Sequence, residues 1–389
     1  MRTEQGDGPA IVDLSDAQCR RSLPLKWGSL DADVLPAWVA EMDYALAPVV
    51  REAVLAAVHD GITGYPPPDG RSGVGQALAG FAQRHWGWDV DPPSCVLVGD
   101  VMSGVRLALE VLSEPGPVVV PTPAYMPFLD VAQQTGRERV DLPLDPDQPH
   151  AAIDLERLDA LLAAGARTVL LSQPHNPWGR AFTRPELEGL RDVVVRRGAR
   201  VISDEIHAPL VLPGAQHVPY LSIEGTAGHA VGVLAASKAF NTAGLKCAQV
   251  VSSDPAAVTA LRSVPLVQNH ATSPLGAIAA AAAYEDGDAW LGALLERLGA
   301  QRALFGRLLP EHLPASRMRP LEATYLVWLD ARGHGHPDPA AEALRHGRVA
   351  VSAGTDFGPG GDGHVRVNLA TSPDRLREVV RRLEAAWRS

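Results

Sequence analysis

The residue types able to do chemistry in this chain gather where apolar runs end. The run 231–236 ends in Ser237 and Lys238, and after a polar, glycine-containing turn a second cation, Lys246, precedes another apolar run reaching Val251. A lysine at the end of a buried strand sits where desolvation lowers its pKa. A neutral amine there can attack a carbonyl carbon and form a Schiff base. By itself the stretch reads first as a loop lysine between two strands, so the rest of the chain has to decide. Tyr125 lies just past the apolar run 117–120, Asn176 past TVLLS (168–172), and Asp204 and His207 past ARVIS (199–203).

The elements that must position these residues follow from periodicity. Residues 1–35 show little and read as an extended arm. Helical spacing predicts helices over 47–59, with Pro48 early where proline is tolerated, and over 76–85, 106–112, 155–164 and 184–197. Short apolar runs at 95–99, 117–120, 168–172, 199–203 and 230–236 read as strands. The Gly- and Pro-dense loop 61–75 carries Tyr65, an exposed phenol. Strands alternating with helices predict an α/β fold with a mostly parallel, doubly wound sheet. Ligands bind outside the carboxyl ends of such strands, so the polar residues converge on one rim. After Val251 the pattern changes. Residues 274–309 read as one long helix or two with a break near Gly287, residues 325–330, 349–352 and 364–369 as strands, and 372–388 as a closing helix. We expect an arm and the start of a small domain at 1–50, a large domain at 51–285, and a small α+β domain at 286–389.

Composition narrows the classes. The 389 residues are 46% hydrophobic and carry a formal net charge of -10, which fits a globular chain and disfavours a nucleic-acid partner. No apolar run approaches a membrane span, and the N-terminal stretch lacks the apolar centre of a signal peptide, so a cytoplasmic protein with no membrane partner is expected. Cys19, Cys95 and Cys247 are far apart and imply neither a disulfide framework nor a zinc site. His207, His217 and His229 lack metal-ligand spacing, there is no HExxH and no GxxxxGK[ST], and Ser103 lacks the GxSxG elbow. The glycines at 358–363 precede a strand, which marks a tight turn instead of a dinucleotide loop.

Together the rim residues have the chemistry of a pyridoxal phosphate site. The Asp204 carboxylate can hold a proton on a heteroaromatic nitrogen, as an electron-sink cofactor requires. Lys238 can carry the cofactor as an imine, Asn176 and His207 can hydrogen-bond a phenolate oxygen, and Tyr125 can stack on the ring. Ser237, Lys246 and a helix start at Ser103, Gly104 and Val105 can hold a phosphate.

Six segments in order, LPAWVAEMDY (35–44), GYPPPDG (64–70), QPHNPWGR (173–180), SDEIHAPLVLPG (203–214), SKAFNTAGLK (237–246) and GHVRVNLATS (363–372), resemble fold-type I pyridoxal phosphate enzymes. Within these the sequence is most similar to the MalY/PatB-type cystathionine β-lyases, or C–S lyases, from about Leu35 to the end. The resemblance implies that Lys238 anchors the cofactor and then serves as acid and base, that Asp204 pairs with the ring nitrogen, and that Asn176 and His207 face the ring hydroxyl. His207 stands where broader aminotransferases place a tyrosine. It further implies Tyr125 stacked on the ring; Ser103, Gly104, Val105, Ser237 and Lys246 on the phosphate; and Arg366 on the substrate carboxylate, with Asn176, Tyr125 and Trp38 beside the substrate. Tyr65 would reach the site of a neighbouring subunit in a homodimer. Three positions depart from the family pattern: Trp178 for a small threonine, Pro209 for an acid, and Arg106 for an apolar residue.

The implied reaction is β-elimination on cystathionine or a related cysteine S-conjugate. Lys238 removes the Cα proton, a thiolate leaves Cβ, and pyruvate and ammonia are released. An aminotransferase shares every local residue up to proton removal and stays open as an alternative, as does a regulatory protein on the same fold. Some relatives of that last kind carry an N-terminal winged helix, for which the roughly 35 residues ahead of the first motif are too few.

Overall fold

A computed structural model describes residues 10–67, 70–144 and 152–388. Near the N-terminus a two-residue strand, β1 (Leu35–Pro36), is followed by seven strands of one large sheet: β2 (Cys95–Val98), β3 (Val118–Thr122), β4 (Arg139–Pro143), β5 (Thr168–Ser172), β6 (Arg200–Asp204), β7 (Ala230–Leu234) and β8 (Ala248–Val251). Their order is β2-β8-β7-β6-β5-β3-β4. The pairs from β7 through β4 are parallel, while β8 runs antiparallel to both of its neighbours. The central strands are buried along their whole length, as expected for a parallel sheet covered on both faces.

A second sheet, β12-β13-β10-β9, is built from β9 (Arg317–Met318), β10 (Leu326–Asp330), β12 (Ser352–Ala353) and β13 (His364–Asn368), with the remaining two-residue strand β11 (Val349–Ala350) paired to β1. That pairing ties the N-terminal arm to the C-terminal part of the chain. The helix Pro373–Trp387 packs its apolar face on Asp288–His312. Among the described residues no helix is long and apolar enough to cross a membrane.

The helix Arg184–Arg197 lies where periodicity predicts it, bounded by a Thr183/Glu186 capping box and by Gly198 in the left-handed conformation. The long alanine- and leucine-rich stretch is two helices, Pro274–Asp286 and Asp288–His312. Several elements differ from expectation. The arm contains a helix, Asp16–Ser22, opened by a Ser15/Gln18 capping box. Helices Met126–Gln134, Pro255–Arg262 and Pro339–Gly347 and the edge strand β4 are additional. One difference affects the site. The helix expected from Arg106 begins at Val101, because the Asp100 side chain accepts the Ser103 N–H at 2.8 Å and sets the N-terminus five residues earlier.

Candidate active site

One cavity of about 530 Å³ lies off the carboxyl ends of the central strands and is lined by Lys238, Asp204, Asn176, His207, Tyr125, Ser237, Lys246, Arg366 and Trp38, among others. The strand ladder puts the first of these together. Ser172 at the end of β5 stands opposite Asp204 at the end of β6, and Asp204 opposite Val233 in β7, four and five residues ahead of Ser237 and Lys238. Lys238 sits in the short helix Ser237–Phe240, which Asn241 closes in the left-handed conformation.

Burial governs the titration of the floor. It pulls the Lys238 amine down to about 8, helped by Arg366 and opposed by Glu41 and Asp204. It pushes the Asp204 carboxyl up to about 7, reinforced by Glu205 and opposed by the Ile206 N–H, which donates to Oδ1 at 3.0 Å, and by Lys238. His207 is pushed down to about 3 by burial, Lys238 and Arg366, so it is neutral, and its Nδ1 is buried with no hydrogen-bond partner among the described residues. Burial also raises the Tyr125 phenol, and Asp204 adds to it.

Arg366 comes from β13, opposite Trp328 and Ser352. Its guanidinium, 4.8 Å from the Phe357 ring centroid, donates to Asn176 Oδ1 and to the Trp38 carbonyl, each at 3.1 Å. Its Nε is buried and unpartnered among the described residues. Burial lowers even this group, to about 10. Trp178, one of the three departures, packs with Phe357, Trp328 and Leu144. Pro209 is buried in the turn Ala208–Leu210, and Arg106 lies 3.7 Å from Glu110 on the outer face of its helix.

Ser103, Gly104 and Val105, expected on the phosphate, do not line this cavity. Ser103 donates its Oγ to Asp100 at 2.8 Å, and Gly104 and Val105 lie inside the helix. A Cβ on Gly104 would stand 2.9 Å from Val233 Cγ1 and 3.0 Å from Val250 Cγ2, so this glycine is there to let the helix approach the sheet. Val105 is fully buried in the same contact. The helix start that lines the cavity is instead Asp100, Val101 and Met102, behind Gly99. An aspartate directly ahead of an apolar helical pattern was the available signal. Lys246 Nζ bonds Asp100 Oδ2 at 2.9 Å. Burial opposes ionisation of Asp100, but the bonds from Lys246 and Ser103 hold its carboxyl below the usual range. Tyr65 is 100% exposed and lies outside this cavity. Motif reading also passed over Glu41, which lines the cavity beside Trp38.

These residues fit pyridoxal phosphate. A buried carboxyl with a raised pKa wants a cationic partner, which a protonated ring nitrogen supplies; a half-buried lysine of lowered pKa can hold the cofactor covalently; and the orphaned His207 Nδ1 lies in the same cavity. No cluster among the described residues could hold a metal ion.

The comparisons agree with this arrangement. A Mycobacterium leprae protein provisionally named a cystathionine β-lyase is 42% identical, with 96% of each chain covered. The cystathionine β-lyase of Corynebacterium glutamicum is 36% identical over 95% of this chain and 98% of its own. A solved Corynebacterium diphtheriae structure, provisionally described as a PLP-dependent β-cystathionase, superposes with a TM-score of 0.93 at 34% identity, covering 98% of this chain and 100% of its own. The family model for aminotransferase class I and II matches residues 30–383, and the chain belongs to that family.

Proposed function

We propose that this chain is a pyridoxal phosphate-dependent carbon–sulfur β-lyase acting on cystathionine or a related cysteine S-conjugate, with thiol, pyruvate and ammonia as products. The observation that carries it is a half-buried Lys238 and a buried Asp204 at or just beyond adjacent strand ends in one cavity, with Arg366 on its wall. The relatives' names support the lyase over the transferase. Arg366 binds the substrate α-carboxylate as a bidentate fork, and Asn176, already bonded to it, holds the fork in register. Lys238, its amine about half neutral near pH 8, takes the Cα proton. Asp204 keeps the ring nitrogen protonated, Tyr125 covers the ring, and Lys246, Ser237 and the Val101–Leu112 helix start hold the phosphate. When bound, the cofactor supplies the sink for the electron pair left at Cα.

Incubation with cystathionine tests this. Stoichiometric pyruvate and free thiol without an added 2-oxo acid are expected; turnover that requires a 2-oxo acid acceptor overturns the lyase in favour of an aminotransferase. The same proposal includes a cytoplasmic homodimer. Cys19, Cys95 and Cys247 are buried and joined by no disulfide among the described residues, which suits a reducing compartment. The fully exposed Tyr65 and the exposed Leu55, Val58, Leu266 and Val267 suit a covered face. A monomeric mass by light scattering sinks the dimer.

A further inference from the structure

One charge in the cavity has no task in the reaction above. Glu41 belongs to the 38–43 strap, whose backbone is tied down on all sides. Asn368 Nδ2 donates to Val39 O at 2.6 Å and to Glu41 O at 2.8 Å, and Lys26 Nζ also reaches Glu41 O, at 2.9 Å. Ala40 O receives both the Tyr325 hydroxyl at 2.9 Å and Lys238 Nζ at 3.1 Å. The Glu41 side chain is the exception: it lines the cavity, and its Oε2 is buried with no hydrogen-bond partner among the described residues.

A buried carboxylate left without a partner is costly, and it is retained where a cation comes to it. The cavity offers three cations. Arg366 is engaged by Asn176 and the Trp38 carbonyl, and Lys246 by Asp100. Lys238 remains, already hydrogen-bonded to the residue next to Glu41. The charged and titratable groups around Lys238 are Arg366 from β13, Asp204 from β6, His207 after β6, Glu41 from the strap, and the phenols of Tyr125 and Tyr325, which burial raises and keeps neutral. Asp204 is committed to the ring nitrogen and His207 is neutral, so Glu41 is the counter-charge left for the lysine.

We propose that Glu41 is a positioning residue that acts through Lys238, holding the freed amine against the strap at Ala40 and stabilising the ammonium it becomes. In the step concerned the Cα–H bond breaks and an Nζ–H bond forms. The electron pair stays on the substrate side, Lys238 gains the proton and the positive charge, and Glu41 remains a carboxylate throughout. The inference rests on the reading of the chain as a pyridoxal phosphate enzyme, but not on which thiol leaves.

The test is E41Q beside E41D, each prepared with cofactor and checked for cofactor content and melting temperature. The absorbance of the bound cofactor is titrated against pH without substrate, and the acid limb of kcat is then measured with cystathionine. Removing a negative charge disfavours a protonated neighbour, so both midpoints move to lower pH in E41Q. The expected shift is about one unit, a tenfold loss of proton affinity. E41D, which keeps the charge, stays within about 0.3 unit of the wild type. If E41Q is not recovered folded, E41A removes the same charge and is read in the same way. Midpoints that coincide with the wild type, even alongside a lowered melting temperature, overturn the proposal. A wild-type protein that binds no cofactor overturns the functional reading instead, and this one with it.

Discussion

Two regions of the cavity are held in place by different means. The rim carries Asn176, Asp204 and Lys238 at or just beyond the ends of β5, β6 and β7, where main-chain ladders set their spacing. The strap, 38–43, has no partner strand. Apart from main-chain bonds at its end, Asp43, it is fixed by side chains: Lys26 nearby and, from far along the chain, Asn241, Tyr325, Asn368 and Lys238 itself. A ladder tolerates the loss of a side chain without moving, so rim substitutions remove chemistry and leave geometry. The strap is geometry made of side chains, so substitutions around it shift positions by degrees.

The largest effect is expected on the rim at Lys238. K238A removes the covalent anchor and the base together, so the yellow absorbance of the bound cofactor disappears and kcat drops at least ~10³-fold. Full turnover in this variant refutes both roles. D204N comes next. The amide keeps the shape but cannot balance a ring cation, and kcat is expected to fall about 10²- to 10³-fold with little change in melting temperature. A loss under tenfold contradicts the electrostatic role. Asp204 also leaves a mark on the cofactor-free protein. Its carboxyl titrates near 7 when folded, against 3.8 ordinarily. The folded chain therefore keeps a proton that the unfolded chain has released between those values, and its stability declines as pH rises through that window. His175 and His207, both pushed down by burial to about 3, act in the opposite sense over nearly the same range. The difference between wild type and D204N isolates the aspartate: it should shrink from pH 4 to pH 7, and a flat difference contradicts the burial argument.

Arg366 joins the two regions, since it bonds Asn176 on one side and the Trp38 carbonyl on the other. R366K keeps the charge and loses the fork. KM for the amino acid is expected to rise about 10- to 100-fold, in line with the loss of one or two hydrogen bonds between charged groups. The bound-cofactor absorbance stays intact. An unchanged KM moves the carboxylate site elsewhere.

Sequence reading reached these regions unequally, for the same physical reason. The rim was legible because TVLLS (168–172) and the run 199–203 are apolar enough to be strands on composition alone, and residues just past the end of a parallel strand face a ligand. Ser103, Gly104 and Val105 read as a turn ahead of a helix because a glycine in a short segment suggests one, while this glycine is a contact between helix and sheet that depends on Val233 and Val250, over a hundred residues away. Glu41 was passed over because its setting depends on Asn368, Tyr325 and Lys238 and on nothing adjacent to it. The resemblance supplied Arg366 and Trp38, which no local pattern distinguishes.

The smallest effect, and the one that separates the regions most sharply, is expected at Asn368. Its side chain is buried; its amide donates to two partly buried strap carbonyls and its Oδ1 accepts the Ala370 N–H at 2.7 Å. N368A strands Val39 O and the Ala370 N–H at about 1–3 kcal/mol each, partly relieved by relaxation, while Glu41 O keeps Lys26, so stability should fall by about 2–4 kcal/mol. Lys238, Asp204 and the phosphate-side helix start are untouched, so the bound cofactor keeps its absorbance. The strap moves, and with it the Ala40 carbonyl that receives Lys238 and the Trp38 carbonyl that receives Arg366. Displacements well under 1 Å are expected to lower kcat/KM about 3- to 10-fold. Denaturant unfolding, cofactor absorbance and steady-state kinetics on one preparation decide the matter. Loss of stability with unchanged kcat/KM would show that the strap only holds the molecule together, whereas loss of absorbance would show that rim and strap are not independent.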